Sequence, residues 1–302
     1  MGEMDGKVVL VTGGNTGIGK ETAVQLAQKG ATIAITSRSM DKGAAAAVDI
    51  QTRGGVSEVP VFGLDLGSFA SIRECAAAVL HKYDKIDVLV NNGGALLSDQ
   101  RETEEGFEMT LGGNHLGTFL LTQHLIGAVR DASKGRVVTV ASIAHRGASN
   151  VELADFKQHD NYRGMTAYSK SKFANILFAR ELARREKEAG SEVSSFAVHP
   201  GGVRTEFGLG GDGSPLIQAG LKIAYALPSP FNISATAGAG ASVYCASQPG
   251  LESQSGAYLQ RSIAGNFGPV KIVSPNKAAQ DDAKAAALWE LSEQLIASKS
   301  GV

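Results

Sequence analysis

Cysteine is scarce in this chain: Cys75 and Cys245 are the two in 302 residues. They are too few and too far apart for a disulfide framework, so the composition suits a reducing compartment. Neither sign of charge is in excess. Lys and Arg number 29 and Asp and Glu 30, a formal net charge of −1, which implies no attraction to nucleic acid or to an anionic membrane surface. No apolar run approaches the length of a transmembrane helix. The six histidines show no close metal-ligand spacing, so no metal site is expected. Six residues precede Lys7, too few for a signal peptide or an anchor, and Gly6 stands where a myristoylation signal needs Ser or Thr. The expectation is a soluble, cytoplasmic protein without an integral membrane segment.

Glycine, by contrast, is plentiful, at 37 residues. The informative cluster lies in residues 7–20, K-V-V-L-V-T-G-G-N-T-G-I-G-K. Val8–Val11 is a purely apolar run that suits a strand buried on both faces of a parallel sheet. Gly13, Gly17 and Gly19 follow, and residues 20–29 read as an amphipathic helix. Glycines at such a turn let a pyrophosphate approach the backbone, and the helix start offers it free N–H groups. Strand before and helix after is the context that separates a nucleotide site from an accidental glycine pattern.

Strands and helices then alternate. Strands are predicted at residues 32–36, 59–64, 86–90, 136–140, 193–198 and near 257–259. Helices are predicted at 39–53, 68–82, 103–110, 116–131, 163–188, 234–246 and 281–297. This rhythm implies an α/β fold: a Rossmann-type doubly wound parallel sheet in three layers, as a single domain over residues 1–302. It fails in a polar insert at 145–162 and in a stretch rich in Gly, Pro and apolar residues at 208–231.

The candidate chemistry sits at the carboxyl ends of the strands, where open α/β sheets bind ligands. Strand two ends in Thr36-Ser37-Arg38. Arg38 suits a 2′-phosphate, and an acid at Ser37 would repel one. The alternatives are a surface arginine, and Asp41 as a ribose partner. Asp65 and Leu66 close strand three, where they would meet an adenine. Asn91-Asn92-Gly93-Gly94 closes strand four. Ser142 follows strand five and is either a hydrogen-bond donor to a reacting oxygen or an ordinary loop serine. Tyr168 and Lys172, four apart on a helix, share one face. A tyrosine has a pKa of about 10; a neighbouring ammonium lowers it and fits the phenol for acid–base work. The alternative is a surface helix pair.

Together these residues resemble the short-chain dehydrogenase/reductase superfamily. Thr12-Gly13-x-x-x-Gly17-x-Gly19 is similar to its cofactor motif, Asn91-Asn92-Gly93-Gly94 to its Asn-Asn-Ala-Gly, and His199-Pro200-Gly201-Gly202-Val203-Arg204-Thr205 to the segment bordering the nicotinamide. Asn114, Ser142, Tyr168 and Lys172 fall where that family places its catalytic four. The resemblance further implies cofactor contacts at Gly13, Asn15, Thr16, Gly17, Ile18, Gly19, Arg38, Asp65, Leu66, Asn92, Tyr168, Lys172, Pro200, Gly201, Val203 and Thr205. It also implies that Asn114 holds a water linking Lys172 to solvent. G-N-T-G-I-G-K-E-T-A, N-H-L-G, Y-S-K-S-K-F-A-N-I-L-F-A-R-E-L, H-P-G-G-V-R-T-E and L-W-E-L-S-E resemble the retinol dehydrogenase-like branch. Protochlorophyllide reductases, which are related, carry a cysteine where this chain has Ala174.

The implied activity is NADP(H)-dependent interconversion of an apolar carbonyl and its alcohol. A redox-sensing NADP(H)-binding regulator and a protochlorophyllide reductase-like enzyme are the alternatives. Residues 208–231 would be a substrate lid, a core-covering helix or a membrane-touching surface. Helices 116–131 and 163–188 resemble those that pair in family dimers, which points to a homodimer or homotetramer.

Overall fold

The structure is a computed structural model that describes residues 2–157, 161–201, 233–261 and 268–299. Eight strands form one sheet in the order β3-β2-β1-β4-β5-β6-β7-β8. They are β1 (Val8–Val11), β2 (Thr32–Ser37), β3 (Val61–Gly63), β4 (Val88–Asn91), β5 (Arg136–Val140), β6 (Ser194–His199), β7 (Tyr258–Arg261) and β8 (Val270–Ile272). The first seven run parallel, and β8 returns antiparallel along β7. Strand order reverses between β1 and β4, the switch point at which doubly wound sheets bind ligands.

Alternation along each strand divides the core in two. Leu10, Leu89, Val137 and Ala197 point to one face, with α3 (Phe69–Lys82), α5 (Thr118–Arg130), α6 (Gly164–Glu188) and the last helix, α8 (Asp282–Ala297). Val9, Val11, Val90, Val138, Val140 and Val198 point to the other, under α1 (Gly17–Gln28), α2 (Met40–Gly54) and α7 (Ala235–Ser247). Period-two burial on both faces is what makes the central strands uniformly apolar.

Helix starts follow local chemistry. Ser39 and Ser68 cap α2 and α3, and Asp281 accepts from the Ala283 and Lys284 N–H groups at the head of α8. Two expectations need correction. The predicted helix at 103–110 is instead a tight reversal. Glu102 pairs with Glu108 in an antiparallel bridge, and Gly106 has φ 81°. Only α4 (Met109–Leu111) is helical there. The expected helix at 116–131 begins after a π-helical turn, Gly112–Gly117, which hydropathy does not reveal. The 145–162 insert forms two 3₁₀ turns, Ile143–Gly147 and Leu153–Phe156.

The helices expected to pair between subunits are covered within the chain. Trp289 of α8 stacks on Phe178 of α6 at 5.8 Å between ring centroids and meets Phe119 of α5 edge-on at 4.7 Å. Arg185 lies over the same indole, 4.6 Å from its centroid. A large aromatic anchor in a buried seam typically contributes about 3–5 kcal/mol. Trp289→Ala is therefore expected to lower the unfolding free energy by about 3–5 kcal/mol in urea titration. A loss under about 1 kcal/mol would mean that α8 is not a structural seal.

Candidate active site

Four strand ends meet at the switch point. Thr12, directly after β1, takes a central place: its hydroxyl accepts from the N–H groups of Asn92 and Gly93, at 2.9 and 2.8 Å. Asn92 returns the tie by donating to the Thr12 carbonyl at 2.9 Å. Gly19, at the start of α1, packs into this junction. A Cβ on Gly19 would lie 2.4 Å from both the Asn92 amide nitrogen and the Gly13 carbonyl oxygen, so no larger residue fits. Thr16 begins α1 without capping it by its side chain, and the first turn holds no acid. The leading N–H groups therefore remain open to an anion. Asn15, Gly17 and Ile18 are half-buried along the same turn, and Thr16 is exposed.

The other expected cofactor positions lie along the same edge. Arg38, after β2, is exposed and makes no ion pair among the described residues. Asp65 accepts from the Gly67 N–H at 2.9 Å, which fixes the turn after β3. Leu66 packs beside Gly93. Pro200 is buried and Gly201 has φ 94° at the end of β6. Val203, Thr205 and the expected lid at 208–231 lie outside the described residues.

The expected catalytic four come together around α6. Lys172 is buried, and its ammonium donates to the Val140 carbonyl at the end of β5, 3.0 Å away. Desolvation lowers its pKa from the usual 10.5 to about 8. The same ammonium stands 5.6 Å from the Tyr168 ring centroid. Tyr168 is half-buried one turn back, as the four-residue spacing requires. Ser142 opens the 3₁₀ turn Ile143–Gly147, which packs on α6, and its hydroxyl accepts from the Ala144 N–H at 3.2 Å. Asn114 sits in the π-helical turn. Its side chain clamps the backbone of Ala95 in both directions, accepting from the N–H at 2.7 Å and donating to the carbonyl at 2.8 Å.

Several contributing groups gave no signal in the sequence. Ser171 accepts from Asn114 at 3.0 Å and donates to the Tyr168 carbonyl at 2.9 Å, which joins the π turn to the tyrosine's own helix. A serine inside a helix is unremarkable until its neighbours are known. Gly94 was visible in the Asn-Asn-Gly-Gly motif, but its purpose was not. A Cβ there would lie 3.0 Å from Asn114 Oδ1 and 3.5 Å from Lys172 Nζ, so the glycine lets the chain pass close to both groups. A separate cavity of about 400 Å³, lined by Glu108, Leu111, Tyr162, Thr166 and Lys170, opens on the flank of α6 away from Tyr168.

Against this geometry, comparison with known proteins is decisive. The sequence pattern of the short chain dehydrogenases matches residues 7–209. The chain belongs to the short chain dehydrogenase family. Among its relatives, bovine retinol dehydrogenase 12 is 39% identical over 296 residues, covering 97% of this chain and 87% of that protein. Human retinol dehydrogenase 11 is 38% identical over 296 residues, with the same coverage of each. An uncharacterized protein from Mycobacterium paratuberculosis superposes with a TM-score of 0.74 at 34% identity, over 96% of this chain and 93% of its own. The short chain dehydrogenase is thus a retinol dehydrogenase-like oxidoreductase of a family that binds nicotinamide cofactors. Among the described residues no group of His, Cys, Asp and Glu forms a metal site, and no helix is long and apolar enough to cross a membrane.

Burial of the Lys172 charge has a measurable cost. Below about pH 8 both folded and unfolded chains hold the proton, and the folded one bears the full desolvation penalty. Between about pH 8 and 10.5 only the unfolded chain holds it, so this lysine's contribution to stability rises with pH. Lys172→Met is expected to stabilise the cofactor-free protein at pH 7 by about 1–3 kcal/mol. That gain should shrink as pH climbs towards 10.5 in parallel denaturant titrations; a variant no more stable than the parent at pH 7 would contradict the buried-charge account.

Proposed function

We propose that this short chain dehydrogenase is an NADP(H)-dependent oxidoreductase that interconverts an apolar aldehyde, ketone or retinoid-like carbonyl and its alcohol. The observation that carries this reading is the buried Lys172 ammonium set beside Tyr168 and tied through Ser171 to Asn114. The identity with retinol dehydrogenases 11 and 12 supports the substrate class.

The residues present fit the cofactor. The uncapped start of α1, with no acid in its first turn, suits a pyrophosphate over Gly13, Asn15, Thr16, Gly17, Ile18 and Gly19. Asp65, Leu66 and Asn92 would flank the adenosine half. Exposed Arg38 would take the 2′-phosphate. Pro200 and Gly201 would border the nicotinamide, with Val203 and Thr205 following. When bound, the cofactor supplies or accepts the hydride.

The chain's own residues handle the proton and the geometry. Ser142 would donate a hydrogen bond to the carbonyl oxygen, and Tyr168 would give that oxygen its proton in reduction and take it back in oxidation. Lys172 spends one of its three N–H donors on Val140. The other two would hold a ribose hydroxyl, and the charge would favour tyrosinate. Asn114 would position the water that connects Lys172 with solvent. The enzyme would act in the cytoplasm, and residues 208–231 would close over the substrate. The assembled form would be a homodimer or homotetramer.

Two variants test the reading. With NADPH and all-trans-retinal, Tyr168→Phe is expected to cut kcat by about 100-fold or more while the Kd for NADPH stays within about 3-fold. Unchanged turnover would sink the proton-donor role. Arg38→Ala is expected to weaken NADPH by about 10-fold or more and NADH hardly at all, as loss of a charge-assisted phosphate contact requires. Equal losses by fluorescence titration would reject the 2′-phosphate contact.

A further inference from the structure

Two buried histidines stand next to the proposed catalytic positions, and each is tied to the C-terminal part of the chain. His145 lies in the 3₁₀ turn that Ser142 opens and is fully buried. Its Nε2 lies 3.2 Å from the backbone nitrogen of Asn276. An amide N–H can only donate, so Nε2 is the unprotonated nitrogen. Nδ1 therefore carries the proton and donates it to the Ser142 carbonyl, 2.6 Å away. The Asn276 side chain completes the clamp by donating to the carbonyls of His145 and Ala148, at 3.2 and 2.6 Å. The ring meets Tyr258 of β7 edge-on at 5.1 Å.

His115 follows Asn114 in the π-helical turn and is also buried. Its Nε2 lies 2.8 Å from Ser292 Oγ on α8. The Ser292 hydroxyl already spends its proton on the Leu288 carbonyl, at 2.7 Å. Ser292 is thus the acceptor and His115 Nε2–H the donor. The ring is held on three sides by Phe119, Phe156 and Phe178, at 6.2 to 6.4 Å between centroids. A π turn is a sparsely used conformation that persists only where its surroundings hold it, and this tie supplies a hold from outside α5.

We propose that the C-terminal segment sets the catalytic geometry through these two ties, with His145 a positioning residue for Ser142 and His115, with Ser292, a positioning residue for Asn114. Neither histidine touches the reacting atoms. His145 holds the Ser142 carbonyl and His115 anchors the turn that carries Asn114, and the inference rests on that reading for its effect on rate. The structure makes the segment after β7 a brace on both catalytic turns, although it lies far in sequence from either.

The test separates the brace from the function. With NADPH and all-trans-retinal, His145→Leu and Ser292→Ala should each lower kcat by about 10- to 100-fold, as misplacement of a catalytic group does. KM for retinal and the Kd for NADPH should stay near the parent values. His145→Asn, whose amide reproduces the Nδ1–H donor, should restore most of kcat; His115→Gln, which reproduces the Nε2–H donor, should do so relative to His115→Leu. Without any substrate, amide hydrogen exchange in turns 112–117 and 142–147 should quicken by about 10-fold or more in Ser292→Ala and His145→Leu respectively, with α1 and β1 unchanged. Parent-like kcat and exchange in both variants, while Tyr168→Phe is inactive, would overturn the brace and leave the function standing. Equal loss in His145→Leu and His145→Asn would also overturn it, because the hydrogen bond would not be what matters. Should the parent turn over no carbonyl compound, the function fails and the exchange measurement still decides the brace.

Discussion

The ammonium of Lys172 is buried, and among the described residues no carboxylate forms an ion pair with it. Its partner is a backbone carbonyl at the end of β5. A dipole holds such a charge in place but does not repay its desolvation, which lowers the pKa to about 8. The surrounding structure has to carry that cost. It does so by anchoring α6 on both sides: against β5 and β6 below, and against α8 above. The lysine can then stand at a fixed place close to Gly94. A charged ammonium beside a phenol is what the proposed acid–base role calls for.

The second organising device is the C-terminal segment. α8 seals the face that α5 and α6 would otherwise expose, with Trp289 as its anchor. The same helix reaches the π-helical turn through Ser292, and the loop before it reaches the Ser142 turn through Asn276. Stability and site geometry thus share one element. Doubly wound sheets bind ligands at the switch point of the strand order; here the segment around Asn276 and Ser292 reaches two of the turns beside that edge.

Much of this was legible from local pattern. The run Val8–Val11 with Gly13, Gly17 and Gly19 marked β1, the glycine turn and α1, because a strand buried on both faces and a glycine turn leave unmistakable signatures. Tyr168 and Lys172 were placed on one helical face by spacing alone, and the structure sets them 5.6 Å apart across the ring. The reversal at Glu102–Glu108 was misread as a helix because its polar–apolar sequence suits both forms; the bridge between the two glutamates and the positive φ of Gly106 select the turn. The π-helical turn was invisible, since it arises from the Asn114 clamp on Ala95 and the tie from His115 to Ser292. Expectations at Val203, Thr205 and 208–231 fall outside the described residues.

By itself the sequence determined the period of most strands and helices, the glycine turn after β1, and the identity of the four candidate catalytic side chains. These are local properties, set by spacing along one strand, turn or helix. Only the tertiary structure decided the protonation balance of Lys172, the tautomers of His115 and His145, and the covering of α5 and α6 by the chain's own last helix. Each of those depends on which groups desolvate or hydrogen-bond a side chain from elsewhere in the chain. Contacts spanning well over a hundred residues, such as Asn276 to His145 and Ser292 to His115, leave no trace in the pattern of either segment alone.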